Sequence, residues 1–237
     1  MSHKHNYIDS DKEGYYVCSD CGTYKSFLLK PPDEIYIQNN YWDTGDGTTG
    51  RSTLSQQIEN MTCTDECGIS KIDRVLQFVP KRGRNVLEIA AAPGIMLKKL
   101  LERNFEVFGI EPRDEYCKFI SEQAPEARVV CGYFPEITKS SNDNIFDCIL
   151  GMDVFEHASD YDAFIKEIYR LLIPGGVAIL MSPIIYEDGF IRPGEFKADE
   201  HAHIFTKKFL EPYLSEIFSK VEFRRWVISH EIVICYK

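Results

Sequence analysis

The sequence predicts an α/β fold: a mainly parallel sheet covered by helices on both faces and closed by an antiparallel hairpin. Three observations predict it. From Gly68 onward, short apolar runs alternate with helical patterns of 10–15 residues, the signature of repeated βαβ units. The stretch "NVLEIAAAPGIMLKKL", Asn85 to Leu100, reads as a buried strand, a tight turn and an amphipathic helix. The chain ends in "LSEIFSKVEFRRWVISHEIVICYK", a helix end, a strand, a turn at Ser229-His230 and a final strand.

The elements follow in order. Residues 1–67 are rich in Tyr, Asn, Asp and Gly and show little periodicity, and "KPPDEIYIQNNYWDTGDGTTG" carries Pro-Pro and several turn dipeptides, so this part is expected to be mostly loop. "GISKIDRVLQFV" then spaces Ile69, Ile72, Val75, Leu76 and Val79 as one helix face, ended by Pro80. Strands are expected at Val86–Ala90, Glu106–Ile110, Ala127–Val130, Phe146–Leu150 and Val177–Met181, with helices starting near Ile95, Asp114 and Tyr161. The boundary between the two textures divides the chain into an N-terminal module, 1–67, and a main domain, 68–237.

Composition narrows the function. The 237 residues are 44% hydrophobic and 27% charged, ordinary for a soluble globular protein. A formal net charge of −10 disfavours a broad basic surface, so nucleic acid and anionic membrane are not expected as partners. The polar start "MSHKHNYIDSDKEG" lacks an apolar signal region, and no apolar run approaches the ~18 residues of a membrane span. A cytoplasmic, reducing setting is therefore expected, with Cys117, Cys131, Cys148 and Cys235 as buried thiols.

In an open α/β sheet, ligands sit beyond the carboxyl ends of the strands where strand order reverses. The first strand ends at Glu88-Ile89-Ala90, and the turn carries Ala92 and Gly94 before the helix. The second ends in Glu111-Pro112, 23 positions after Glu88. An acid at that offset can accept the ribose hydroxyls of an adenosine-containing cofactor. The G-x-G-x-x-G fingerprint of dinucleotide sites is absent, and Glu88 would repel a pyrophosphate, which argues against an NAD(P)-dependent oxidoreductase.

"VLEIAAAPG", "VFGIEP", "FDCILGMDVFEH" and "LLIPGGVAILMSP", in this order over residues 68–237, resemble the motif series of class I S-adenosylmethionine-dependent methyltransferases. The resemblance implies a Rossmann-like, seven-stranded, mostly parallel sheet whose last two strands form the hairpin. It implies cofactor contacts from Glu88, Ala90, Ala92 and Gly94, ribose binding by Glu111 beside Pro112, and an adenine wall of Gly132, Tyr133 and Phe134. Gly151, Met152 and Asp153 would lie beside the methionine part. The family's loop is usually E-x-G-x-G-x-G, and alanine fits in its place wherever φ stays negative. The reading is a stiffer loop that still binds. The competing readings are a scaffold protein that has lost the cofactor and the oxidoreductase above.

Methyl transfer needs an aligned nucleophile and a base. Histidine is the residue of choice near neutral pH. His201 in "DEHAHIFT", with Asp199 and Glu200 beside it to orient it and raise its basicity, is the first candidate, and His157 in "DVFEH" the second. His203 reads as a surface or hydrogen-bonded core residue. "EHAHIFT" resembles an element of nucleotide-sugar methyltransferases in which the residue matching His201 is the proposed base. The acceptor expected from that resemblance is a small polar molecule, a sugar or nucleotide sugar, methylated at oxygen or carbon.

Cys18-Ser-Asp-Cys21-Gly has the look of a zinc knuckle. One pair cannot complete a tetrahedral site, and His3 and His5 give the compact completion, with Cys63 and Cys67 as the competing pair. The resemblance extends here to sugar methyltransferases that carry a small zinc module and an aromatic loop, which would make "NNYWDTGDG" a lid with Tyr41 and Trp42 stacking on the acceptor.

Overall fold

The computed structural model describes residues 4–35, 58–59, 61–64, 68–191, 193–227 and 230–237, without the side chains of 193, 225–227 and 230. The chain opens with three short strands, β1 (Tyr7–Asp9), β2 (Tyr15–Cys18) and β3 (Tyr24–Ser26), paired antiparallel in sequence. Their apolar content is too short for a periodic signal, which is why the sequence reads as loop here. Tyr41 and Trp42, expected to form a lid, lie outside the described residues, as do His3 and Cys67.

Helix α1 (Lys71–Leu76) starts where Ser70 accepts a hydrogen bond from the Asp73 amide, an N-cap that satisfies one of the orphan donors of the first turn. The alternating part follows: β4 (Asn85–Ile89), α2 (Ile95–Leu101), β5 (Glu106–Glu111), α3 (Asp114–Gln123), β6 (Arg128–Cys131), β7 (Phe146–Met152), α4 (Tyr161–Leu171) and β8 (Leu172–Ile185). Then come β9 (His203–Thr206), α5 (Lys207–Ser215), β10 (Lys220–Val227) and β11 (His230–Tyr236). Helices α2, α3 and α4 begin at the three residues their periodicity predicts.

The strands β6-β5-β4-β7-β8 are parallel neighbours in that order, and β11 and β10 extend the run antiparallel. The expected sheet of seven is exceeded. Beyond Pro183, β8 leaves β11 and pairs parallel with β9, and β9 pairs antiparallel with β3, so the described sheet has eleven strands. Side-chain alternation sorts the core into two layers. Leu87, Ile149 and Leu180 join helices α4 and α5 on one face, whereas Val86, Leu150 and Ile179 join α1 and α2 on the other. A third, small core of Tyr15, Ile185 and Ile204 lies under the N-terminal strands. No helix among the described residues is long and apolar enough to cross a membrane.

The Cys117–Cys131 pair corrects an expectation. The two sulfurs are bonded, joining α3 to the end of β6, whereas Cys148 and Cys235 are buried free thiols as expected. The reason is spatial: α3 returns over β6 so that the two Cα atoms stand 6.1 Å apart, within disulfide reach, although 14 residues separate them.

Arg170 on α4 ties down the loop that follows β6. Its guanidinium donates to the Thr138 carbonyl at 2.9 Å and the Ser141 carbonyl at 2.8 Å while pairing with Glu167 and Asp143. Arg170→Ala strands two carbonyls and two carboxylates, and is expected to lower stability by about 1–2 kcal/mol in urea unfolding. Arg170→Lys should recover less than half of that, because one ammonium cannot reproduce the fork.

Candidate functional site

Strand order reverses between β4 and β7, and the cavity opens beyond their carboxyl ends, as the fold requires. Its volume is about 910 Å³, at the upper end of the range for small-molecule sites. Glu88, Ala90, Ala92, Glu111, Pro112, Gly132, Tyr133, Phe134, Met152, Asp153, His157 and His201 all line it. Gly94 and Gly151 do not. Gly94 sits at the N-cap of α2 with φ 85°, a conformation that favours glycine, and Gly151 lies within β7.

The carboxylate of Glu111 is held by two amides, Ala92 N–H on one oxygen at 3.3 Å and Arg113 N–H on the other at 3.1 Å. Burial nevertheless dominates these bonds and pushes its pKa up to about 7. Glu88 is buried beside it and is raised well above the usual carboxylate range, first by burial and then by the charge of Glu111. Its Oε2 has no hydrogen-bond partner among the described residues. A buried oxygen left over in this way suits a ligand that brings a donor or a positive charge. Between the two acids, Ala90 adopts φ 56°, outside the negative range in which alanine fits without cost. A left-handed alanine costs about 1 kcal/mol, and the loop nevertheless keeps its turn.

The residues expected to face adenine come from the end of β6. Gly132 has φ 153°, and a Cβ there would meet Ile137 Cδ1 at 2.5 Å, so the position requires glycine. Phe134 packs edge-to-face on Phe164, and the Tyr133 hydroxyl donates to Asp33 at 2.7 Å. The N-terminal segment thus reaches the cavity, where Pro32 also lines it.

At the other end, Lys71 pairs with Asp153. A single 3-10 turn, Phe155–His157, follows β7 and presents Glu156 and His157. Glu156 is buried and accepts from the Ser182 hydroxyl at 2.9 Å. His157 hydrogen-bonds through Nδ1 to the Glu200 carbonyl at 3.0 Å, and His201 through Nδ1 to the Glu195 carbonyl at 2.7 Å. The two rings meet edge-to-face with centroids 4.8 Å apart.

These contacts correct the expected orienting pair. Neither Asp199 nor Glu200 turns its carboxylate on His201 Nδ1: Asp199 pairs with Lys30, and buried Glu200 gives its backbone carbonyl to His157. Nor is the basicity of His201 raised. Burial, with the neighbouring His157 and Lys197, lowers its pKa to about 3, and burial lowers His157 as well. Both rings are neutral at pH 7. His203 is a hydrogen-bonded core residue, bound to the Ala158 carbonyl at 3.2 Å. Lys71, Arg113 and Lys197 line the cavity too, and lone basic residues of this kind carry no sequence signal. Glu156 also lines it and did carry a signal, inside the quoted "DVFEH".

Away from the cavity, the knuckle turn forms, with the Gly22 amide bonded to the Cys18 carbonyl at 2.8 Å. It brings one ligand atom each of Cys18, Cys21 and His5 within 4.8 Å of one another. Cys63 is exposed and apart from this group.

A family model described as a methyltransferase domain matches residues 65–223. Ubiquinone biosynthesis O-methyltransferases of Caulobacter sp. (strain K31) and Paramagnetospirillum magneticum are 27% and 29% identical to the chain over 104 and 99 residues. The matches cover 43% and 41% of this chain and 41% and 40% of theirs. The chain thus spans about two fifths of the length of these curated relatives. A solved protein from Pyrococcus horikoshii OT3 is similar at TM-score 0.60 and 16% identity, covering 87% of this chain and 99% of that one. The [4+2]-cyclase SpnF is similar at TM-score 0.57 and 16% identity, covering 70% and 79%. The S-adenosylmethionine-dependent methyltransferase SibL is similar at 0.55 and 16%, covering 69% and 54%. At these identities the structural likeness is one of fold.

Two outcomes test the carboxylate end. Glu111 has a folded pKa raised above its unfolded value, so the folded protein holds the extra proton between about pH 4.5 and 7. Its contribution is intact below about 4.5, falls as pH rises through 7, and stays at a penalty of about 3 kcal/mol above that. Glu111→Gln is therefore expected to stabilise the ligand-free protein by about 1–3 kcal/mol at pH 8 and by nothing at pH 4, measured by denaturant titration. Ala90→Gly should add about 0.5–1 kcal/mol at any pH by removing the left-handed alanine. A loss of stability on that change would show that the turn does not hold φ positive.

Proposed function

The chain belongs to the methyltransferase-domain family, and on that premise we propose that it is a class I S-adenosylmethionine-dependent methyltransferase that methylates a hydroxyl of a small polar acceptor, a sugar or nucleotide sugar. One observation carries the reading: a single cavity has two buried carboxylates, Glu88 and Glu111, at one end and two neutral imidazoles, His157 and His201, at the other. Oxygen is favoured as the acceptor atom because the curated relatives are named O-methyltransferases. The sugar class rests on the "EHAHIFT" resemblance and on a cavity end lined with hydrogen-bonding groups, among them Glu195, Lys197 and Asp160.

When bound, S-adenosylmethionine supplies an electrophilic methyl group on a sulfonium sulfur. Glu111 would hold the ribose hydroxyls, Tyr133 and Phe134 would face the adenine, and Met152 and Asp153 would flank the methionine part. The lone oxygen of Glu88 would meet the amino group. That pairing matches the fit above, since Oε2 of this buried acid has no donor among the described residues.

The acceptor end must orient a hydroxyl and take its proton as its oxygen bonds to the methyl carbon. His157 and His201 each commit Nδ1 to a backbone carbonyl, which directs the Nε2 lone pairs elsewhere. In the metal-free chain His201 is the proton acceptor. Its low basicity limits the step, because Brønsted behaviour favours a base with a pKa nearer the working pH. Residues 1–67 are proposed as a zinc-bearing segment that borders the acceptor, with zinc on His5, Cys18 and Cys21 and His3 as the fourth ligand, and residues 68–237 as the catalytic domain. The three described donors are of the right kinds for structural zinc, and they converge.

Calorimetry with S-adenosylmethionine and release of S-adenosylhomocysteine across sugars, nucleotide sugars and phenols test this reading. Release with a sugar-type hydroxyl is expected, and absence of cofactor binding by the folded chain would overturn it. His201→Ala is expected to lower turnover about 10²–10⁴-fold with cofactor affinity unchanged.

A further inference from the structure

The corner formed by Glu156, His157 and His201 has more donors than a single proton acceptor needs. One ring nitrogen of each histidine and one carboxylate oxygen of Glu156 lie within 4.8 Å of one another. The three come from two separate segments, the turn after β7 and the residue two before β9, so nothing local obliges them to meet.

Each of the three residues has a hydrogen-bond partner that fixes its direction. His157 gives Nδ1 to the Glu200 carbonyl, His201 gives Nδ1 to the Glu195 carbonyl, and Glu156 takes the Ser182 hydroxyl. Metal-ligating histidines are characteristically oriented this way, with the far nitrogen tied to a carbonyl and the near one bare of its proton. All three residues also line a cavity large enough to leave coordination positions for other molecules.

Resting on the proposed acceptor end, we propose that Glu156, His157 and His201 bind one first-row divalent cation, with its open side toward the acceptor hydroxyl. Two imidazoles and one carboxylate with open positions form the donor set of catalytic zinc and of non-haem iron(II). Bonds of about 2.1 Å set tetrahedral ligands about 3.4 Å apart, so the three donors contract by small side-chain rotations when the ion enters. An acceptor hydroxyl in the open position loses its proton to water more readily than a free one. His201 is then a ligand, and its weak basicity ceases to limit the reaction.

Cobalt(II) is the probe, because its spectrum distinguishes the donor sets. The N-terminal cysteines give a thiolate charge-transfer band, and the Glu156–His157–His201 corner gives d–d bands alone. Metal-stripped full-length protein is expected to take up cobalt with a component free of the thiolate band. His157→Ala and Glu156→Gln, each checked for folding by urea unfolding, should weaken that component at least about tenfold. Zinc or manganese(II) should raise the turnover of the stripped enzyme at least about tenfold. Cobalt bound only with the thiolate band, or binding that both variants leave unchanged, would overturn the site. Full turnover of stripped protein would overturn its role while upholding the methyltransferase reading. A site that binds cobalt in a chain that releases no S-adenosylhomocysteine with any hydroxyl acceptor would overturn the acceptor reading instead.

Discussion

The backbone hydrogen bonding along β8 is the constraint on which the rest of the molecule depends. Its fourteen residues pair with β7 on one side, then with β11, and finally with β9. No other described strand contacts as many partners. Its inward side chains are apolar up to Met181, as a strand covered on both faces must be, and the break comes at Ser182, whose hydroxyl is spent on Glu156. One strand therefore closes the parallel sheet, seats the C-terminal hairpin, carries the N-terminal strands through β9 and braces Glu156.

The cavity joins two ends with the same electrostatic logic. Burial holds Glu88 and Glu111 toward their neutral forms and keeps His157 and His201 unprotonated. Groups kept uncharged in this way respond strongly when an ion or a charged ligand arrives, because a water-poor site screens the new interaction little. The strain at Ala90 belongs to the same scheme: the loop between the two acids accepts an unfavourable φ, and its Ala92 amide stays on Glu111.

Much of this was legible in the residues. Helix starts at Ile95, Asp114 and Tyr161 follow from periodicity and turn residues acting locally, and the parallel strands follow from apolar runs longer than any turn. Glu111 was identifiable from its offset to Glu88, because that spacing is a property of one βαβ unit. What escaped depends on contacts far apart in sequence. The four extra strands of the sheet arise from pairing between β3 and β9, nearly the whole chain apart. The Cys117–Cys131 bond depends on how α3 settles over β6. The partner of His201 is a backbone carbonyl, and a carbonyl leaves no trace in a sequence, so the nearby acids Asp199 and Glu200 drew the expectation instead.

The two ends of the cavity are built from different stretches of chain. The carboxylate end comes from β4, β5 and β6, which are adjacent in sequence and make a compact unit. The imidazole end is assembled from the turn after β7, the segment before β9 and the strands that lean on β9, β1 to β3 among them. Substitutions can therefore accumulate at one end with little effect on the other. Such a molecule can change what it modifies while keeping what it modifies with, and its first strands belong to the half that is free to vary.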